Sequence, residues 1–138
     1  MFKRSKYIIL LASLFIGLPA CSSVAKSVVV GTLGGSNVEG INLLAQCKNE
    51  QAVNELKKLS ASENDGKRYF ALYYQALALT DLNRKDQASA LYPKILSTAT
   101  AKKNNITSNQ QLSSKINADL AKIIQGRKNE NISCPSTK

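Results

Sequence analysis

The sequence predicts an all-α protein of about five helices in antiparallel hairpins. Three observations lead there. Beyond residue 36, apolar residues recur at spacings of three and four, the period of a helix with one buried face. Ser36 with Glu39, and Ser108 with Gln111, have the spacing of capping boxes, in which a side-chain oxygen takes a free N–H of the first helical turn. No segment sustains the alternation of a half-buried strand.

The elements follow in order. A first helix is expected to begin near Asn37, with Val38, Ile41 and Leu44 or Ala45 on one face, and to stop near Cys47. Asn49 is the expected cap of a second helix bearing Ala52, Val53, Leu56 and Leu59. The stretch SENDG, residues 62–66, reads as a turn. A third helix is expected over about Lys67–Leu82, with Tyr69, Leu72, Tyr73, Ala76 and Leu79 inward. Asn83 is the expected cap of a fourth, where Ala88, Leu91, Tyr92, Ile95 and Leu96 form one stripe. Pro93 falls inside that stripe. A mid-helix proline costs about 3 kcal/mol or more, but the pattern continues past it, so it reads as a kink. Residues 98–107 are polar and read as a loop. Behind Ser108 a fifth helix carries Leu112, Ile116, Leu120, Ile123 and Ile124, with Gly126 as its stop.

At 138 residues the chain is long enough for one small domain, and its balance of 43% apolar to 20% charged residues is that of a globular protein. It contains no histidine. Ser-His-Asp and Cys-His catalysis, and the commonest metal ligand, therefore fall away. The formal charge is +10. Lys3, Arg4 and Lys6 contribute to it at the N-terminus, and no acid precedes Glu39. The remainder stays basic, which suits envelope polyanions or anionic lipid headgroups, or simply solubility, since the lysines are spread along the chain.

The N-terminus carries the most specific signal. A basic stretch, Met1–Lys6, precedes an apolar run, Tyr7–Leu18, too short to span a bilayer but of the length of a secretory h-region. The run ends in Leu18-Pro19-Ala20-Cys21. This resembles the lipobox of bacterial lipoprotein precursors, with Pro19 a less usual occupant of its position. The resemblance implies a signal peptide over 1–20 that is cleaved, and a diacylglycerol on the thiol of Cys21, where a thiolate supplies the nucleophile. Two or more acyl chains anchor a protein stably, whereas one does not. No Asp follows the cysteine, so the resemblance implies the periplasmic face of the outer membrane. Residues 21–35, rich in Gly and Ser, read as a lipidated tether, although Val28–Val30 also suits a short strand or a contact with the domain. The helical domain is expected over 36–126 and a polar tail over 127–138.

Within the domain, Gly40 and Ala52 are twelve apart, as are Ala76 and Ala88, and the pairs are offset by 36. Tyr92 follows Ala88 by four, and LTDLNRKDQASALY, residues 79–92, is the best local match. The pattern resembles the tetratricopeptide repeat, a helix–turn–helix of about 34 residues with small residues where its helices cross. Gln75 stands where that family has leucine, Leu56 where an aromatic is common, and no proline closes either unit. The resemblance covers about residues 37–98 and leaves the last helix as a cap. A generic five-helix bundle has the same periodicity.

With Cys21 lipidated, Cys47 and Cys134 remain. In an oxidising compartment they are expected to pair, the alternatives being free thiols or an intermolecular bridge. The chain-entropy model assigns a loop of this size about 4–5 kcal/mol. Two cysteines are too few for a thiolate metal site, and neither a metal nor a cofactor is expected. Asn105-Ile106-Thr107 and Asn131-Ile132-Ser133 fit the glycosylation pattern, which a bacterial signal makes idle.

For function, helical repeats offer concave surfaces for a peptide or a partner helix. The expectation is a protein-binding adaptor of an envelope assembly, joined to the membrane by its lipid, with Arg68, Tyr74 and Gln75 as exposed partner-binding residues and Tyr69 and Tyr73 as core. A periplasmic inhibitor or immunity lipoprotein is the alternative. Glycosidase chemistry would need paired carboxylates. The candidates Glu50, Glu55, Glu63, Asp65, Asp81 and Asp86 sit at helix starts and turns, so an enzyme is not expected. Neither a small-molecule substrate nor a nucleic-acid partner is indicated, since the chain lacks an interleaved aromatic and basic motif.

Overall fold

The computed structural model describes residues 38–135. The expected signal at 1–20, Cys21, the stretch 22–35, the expected cap Ser36 and the last three residues lie outside them. Among the described residues the protein is all-α, with seven helices and no strand: α1 Val38–Ala45, α2 Asn49–Leu59, α3 Asp65–Asp81, α4 Lys85–Ser89, α5 Tyr92–Leu96, α6 Ala99–Lys103 and α7 Asn109–Asn129. No helix among them is long and apolar enough to cross a membrane.

Side-chain contacts fix the directions. Gly40, early in α1, meets Leu56, late in α2, so this pair is antiparallel. Asn49 at the start of α2 bonds Asp81 at the end of α3, so α2 and α3 are antiparallel too. Tyr73 meets Asp119 and, two turns further along both helices, Asp81 meets Arg127. Thus α3 and α7 run side by side in one direction. The central helix is α3, in which Tyr69 and every residue from Ala71 to Leu79 are buried. The core gathers around it from Ile41, Leu44, Ala52, Leu56, Ile95, Leu112, Ile116 and Ile123.

The four small residues Gly40, Ala52, Ala76 and Ala88 are all buried. At Gly40 α1 comes close to α2. A Cβ there would lie 2.6 Å from Leu56 Cγ and press on Cδ2 as well.

Helix ends differ from the expectation in a consistent way. Cys47, Asn83, Asn105 and Asn131 have φ of 60°, 60°, 56° and 55°. Each follows a helix, and each is followed by a residue whose N–H reaches back five positions: Lys48 to Leu43, Arg84 to Leu79, Ile106 to Ala101 and Ile132 to Arg127, at 2.8–3.0 Å. These are Schellman stops, with Asn or Cys in the left-handed position usually given to Gly. Asn83 therefore ends α3 and is not the cap of the next helix. The two Asn-Ile-Ser/Thr sequences are helix stops with Ile just beyond the turn. Gly126 is not a stop, because α7 runs on to Asn129 with Asn131 as the left-handed residue.

Three further expectations are corrected. Pro93 does not kink a continuous helix. It occupies the first turn of α5, where its missing N–H has no helical partner to lose, and α4 has already ended. The polar loop at 98–107 contains α6, capped by Thr98 through Ala101 N at 3.1 Å. Asp65 also reaches this end, accepting from Thr100 N at 2.8 Å and Thr100 Oγ1 at 2.7 Å. Finally, Leu59 and Ile124, expected inward, are exposed.

Opposite signs are expected at two glycines. Gly40→Ala forces α1 off Leu56 and lowers stability by about 1–3 kcal/mol. Gly126→Ala, where nothing lies within 4 Å of the new methyl, raises it by about 0.5–1 kcal/mol through helix propensity. Urea unfolding of both variants checks this, and a neutral Gly40→Ala would refute the close crossing.

Candidate functional site

Two clusters of polar chemistry emerge from these helices. The first is a junction at the ends of α1, α3 and α7. Arg127 lies inside it, 3% exposed. Its Nε donates to Leu44 O at 3.1 Å, a second guanidinium nitrogen donates to the same carbonyl, and Nη1 donates to Asp81 Oδ2 at 2.7 Å. Asn49 closes the ring, its Nδ2 donating to Asp81 Oδ2 at 2.7 Å. Asn49 was expected as the cap of α2. It is the first residue of α2 and is buried instead, while Lys48 at the cap position makes no side-chain capping bond. Arg127, expected in a solvated tail, is a core residue.

Cys47 and Cys134 flank this junction at disulfide distance, their Cα atoms 5.3 Å apart. Together with Lys48, Asn49, Glu50, Gln51, Asp81, Leu82 and Pro135 they line a depression of about 470 Å³.

The second cluster is an aromatic cleft of about 440 Å³ beside α3, lined by Tyr69, Phe70, Tyr73 and Tyr74 with Asn104, Ile106, Lys115 and Asp119. Residues four apart on a helix share a face, and the rings accordingly stack in two offset pairs: Tyr69 on Tyr73 at 5.9 Å and Phe70 on Tyr74 at 6.1 Å between centroids. At its base Asp119 accepts from Tyr73 Oη at 2.7 Å, Lys122 Nζ at 3.0 Å and Lys115 Nζ at 3.1 Å. Burial alone would raise the pKa of this carboxyl, but the bonds from Tyr73, Lys122 and Lys115 outweigh it and hold the group below its ordinary value. Burial, followed by the bond to Asp119 and its charge, pushes the Tyr73 hydroxyl far up, so it stays a neutral donor. Lys115 also stands over the Tyr73 ring, 5.6 Å from its centroid.

The residues singled out for partner binding do not form an exposed face. Tyr74 and Gln75 are buried, 1% and 7% exposed, because α3 is enclosed on all sides. Arg68 is half-buried and braces the preceding turn, donating to Asp65 Oδ1 at 2.9 Å and Ser62 O at 3.3 Å. Tyr69 and Tyr73 are core, as expected. Of the acids considered for catalysis, Asp65 holds the start of α6, Asp81 is neutralised by Arg127, Glu50 pairs with Arg84 and Glu55 with Lys58. Among the described residues no group of three or more His, Cys, Asp or Glu is arranged to hold a metal. Sequence reasoning missed Asp119 and Arg127, which lie on the inward line of α7 with Leu112, Ile116 and Ile123. The shared spacing of three to four was the signal. No family model matches the chain, and neither a curated protein nor a solved structure matches it.

Two measurements probe these clusters. Arg127→Ala takes the ion-pair partner from the part-buried Asp81 carboxylate, leaving it Asn49 alone, and is expected to cost about 3–5 kcal/mol, with Arg127→Lys recovering only part because one ammonium cannot reproduce the fork. Thermal unfolding of the oxidised protein reads both, and a cost under about 1 kcal/mol would place the guanidinium in solvent. Asp119 gives a pH signature. A carboxyl whose pKa falls on folding stabilises above its unfolded value near 4, and that contribution is lost as pH falls through the folded value. Asp119→Asn is therefore expected to flatten the acid-side loss of stability below about pH 4. An unchanged slope in urea titrations across that range would reject the assignment.

Proposed function

We propose that this chain is an outer-membrane lipoprotein, held at the periplasmic face by acyl chains on Cys21, whose helical body serves as a protein-binding adaptor of an envelope assembly. The observation that carries the reading is Leu18-Pro19-Ala20-Cys21 directly after a basic start and a short apolar run. The Cys47–Cys134 pair agrees with it, since paired cysteines belong to exported proteins.

We read the body as a short tetratricopeptide-like stack: Gly40 and Ala52 mark the crossing of α1 and α2, Ala76 and Ala88 that of α3 and α4, and α7 runs along α3 as a closing helix. In such a stack the inner face of the first helices takes a ligand. Here α7 covers much of it, through Asp119 on Tyr73 and Arg127 on Leu44 and Asp81. The adaptor surface therefore lies on the outer helices, away from the buried Tyr74 and Gln75.

Labelling cells with radioactive palmitate and fractionating their membranes tests the anchor. The native chain is expected to take up label and sediment with the outer membrane. Cys21→Ser is expected to lose both. A variant that remains as firmly membrane-bound would remove the address and the role argued from it.

A further inference from the structure

Where α3, α4, α5 and α7 meet, a third cleft of about 320 Å³ opens, and every residue on its walls carries a polar side-chain group. Most of these groups are unused. Asp86 and Lys85 line it, and neither forms an ion pair or side-chain hydrogen bond among the described residues. By contrast Asp65, Asp81 and Asp119 are all bonded. Ser113 and Asn117 lie one turn apart on α7 and share a face, and their side chains are likewise unbonded there. Tyr92 adds an observation of a different kind. It is 9% exposed, yet its hydroxyl has no partner among the described residues. The unbonded side-chain atoms sealed from solvent there are Asn42 Oδ1 and Gln75 Oε1 alone. The Tyr92 hydroxyl therefore reaches solvent, and this cleft is an opening that Tyr92 lines. A buried phenol usually finds a hydrogen-bond partner. Here the partner must come from the cleft.

The chemistry of the walls decides what kind of guest. Lys85 and Asp86 cancel in charge, so the cleft favours neither an anion nor a cation. Thr80 and Ser89 spend their hydroxyl protons inside the protein, on Ala76 O at 2.8 Å and Asp86 O at 3.0 Å, and keep only lone pairs to offer. Lys85 only donates, Asp86 only accepts, and the Asn117 amide does both. No leucine, isoleucine, valine or methionine lines the cleft, so an apolar guest finds little to pack on. A zwitterion would match the two charges and leave the hydroxyls and the amide unmet. A neutral guest with several donors and acceptors around a small frame meets all of them. The volume lies at the lower end of the range for small-ligand sites.

We propose that this cleft binds a sugar ring, whose hydroxyls donate to Asp86 and to the Thr80 and Ser89 oxygens and accept from Lys85, Tyr92 Oη and the Asn117 amide. A site built to bond hydroxyls rejects an analogue without them, because its own polar groups are then left unpaired. Two sources share that chemistry: a free monosaccharide, and a sugar residue within a polysaccharide. The inference goes beyond the adaptor reading and does not depend on the lipid at Cys21.

The test is a titration of the ¹⁵N-labelled full-length protein, followed by amide shifts. The probes are D-glucose, N-acetyl-D-glucosamine and the β-1,4-linked trimer of the latter, with cyclohexanol and L-alanine as controls. At least one sugar is expected to saturate and to move amides of residues 80, 85–92 and 113–117. Cyclohexanol, which has the ring without the array of hydroxyls, and L-alanine, a zwitterion, are expected not to saturate. Tyr92→Phe and Asn117→Ala each remove one unbonded group. Both are expected to keep the native urea midpoint and to bind the sugar about fivefold more weakly, the loss of one hydrogen bond. A monosaccharide that binds as tightly as the trimer indicates a free sugar, and a tighter trimer indicates a residue within a chain. Either outcome supports the site. The proposal is overturned if no sugar saturates, if the shifts fall elsewhere, if either control binds as tightly as the sugars, or if both variants bind like the native chain.

Discussion

The buried guanidinium of Arg127 is the constraint around which the helices are arranged. It lies at the end of α1 and adds two of its donors to the Leu44 carbonyl, which also accepts from Cys47 N at 3.1 Å. A third goes to Asp81 at the end of α3, and Asn49 at the start of α2 shares that carboxylate. A charge removed from water costs several kcal/mol unless it is paired and hydrogen-bonded. Four helices therefore have one arrangement that avoids the penalty. The apolar residues of α7 alone do not enforce this, because sliding Leu112, Ile116 and Ile123 by one turn would bury similar area. The same slip would strand Arg127, and Asp119 with it. Both polar residues demand the same register against α3, through Asp81 and Tyr73.

Precision at one end of the bundle is matched by the way its helices stop. The chain breaks α1, α3, α6 and α7 with the same backbone bond, placing Cys47, Asn83, Asn105 and Asn131 in the left-handed region. Asparagine tolerates that conformation at modest cost and keeps more order in the unfolded chain than glycine would. The N-terminal ends are less uniform. Asn64, Thr98 and Ser108 cap with their own side chains, whereas Lys48, Arg84 and Leu91 do not. The uncapped starts are those of α2, α4 and α5, all next to tight turns between packed helices, where position is set by contact and not by the cap.

The contrast explains what was legible in the sequence. The fold class, the inward stripes of α1–α3 and α7 apart from Leu59 and Ile124, and the Ser108 cap follow from periodicity and spacing, which are local or countable; the pairing of Cys47 with Cys134 was expected only once the lipobox resemblance had set Cys21 aside. Helix stops were misread because Asn serves at both ends of a helix, as cap and as left-handed terminator, and short sequence does not distinguish them. Pro93 was misread for a related reason: an apolar stripe persists across two short helices when both pack on the same neighbour. The aromatic cleft was half legible. The run Tyr69, Phe70, Tyr73 and Tyr74 announces rings on one helix, but their enclosure depends on α6 and α7, and nothing near Tyr74 in sequence states that its face is covered. Asp119 and Arg127 were passed over because polar residues on an apolar stripe are ordinarily discounted, although those are the positions where a polar group must find a partner.

The disulfide and the guanidinium act at the same place in different states of the chain. Cys47 follows Leu44 closely, and Cys134 lies just beyond the turn that ends α7 after Arg127, so the covalent link spans the junction that the salt bridge fills. The link acts mainly on the unfolded chain, whose freedom it reduces by closing a long loop. The Arg127 bonds exist only in the folded state and select which folded state it is. Neither device substitutes for the other: a loop closed between Cys47 and Cys134 is compatible with several placements of α7, and Arg127 alone gives no restraint once the helices part. Together they tie the last helix to the first and close the bundle around α3, with the aromatic cleft between α3, α6 and α7 in the same register.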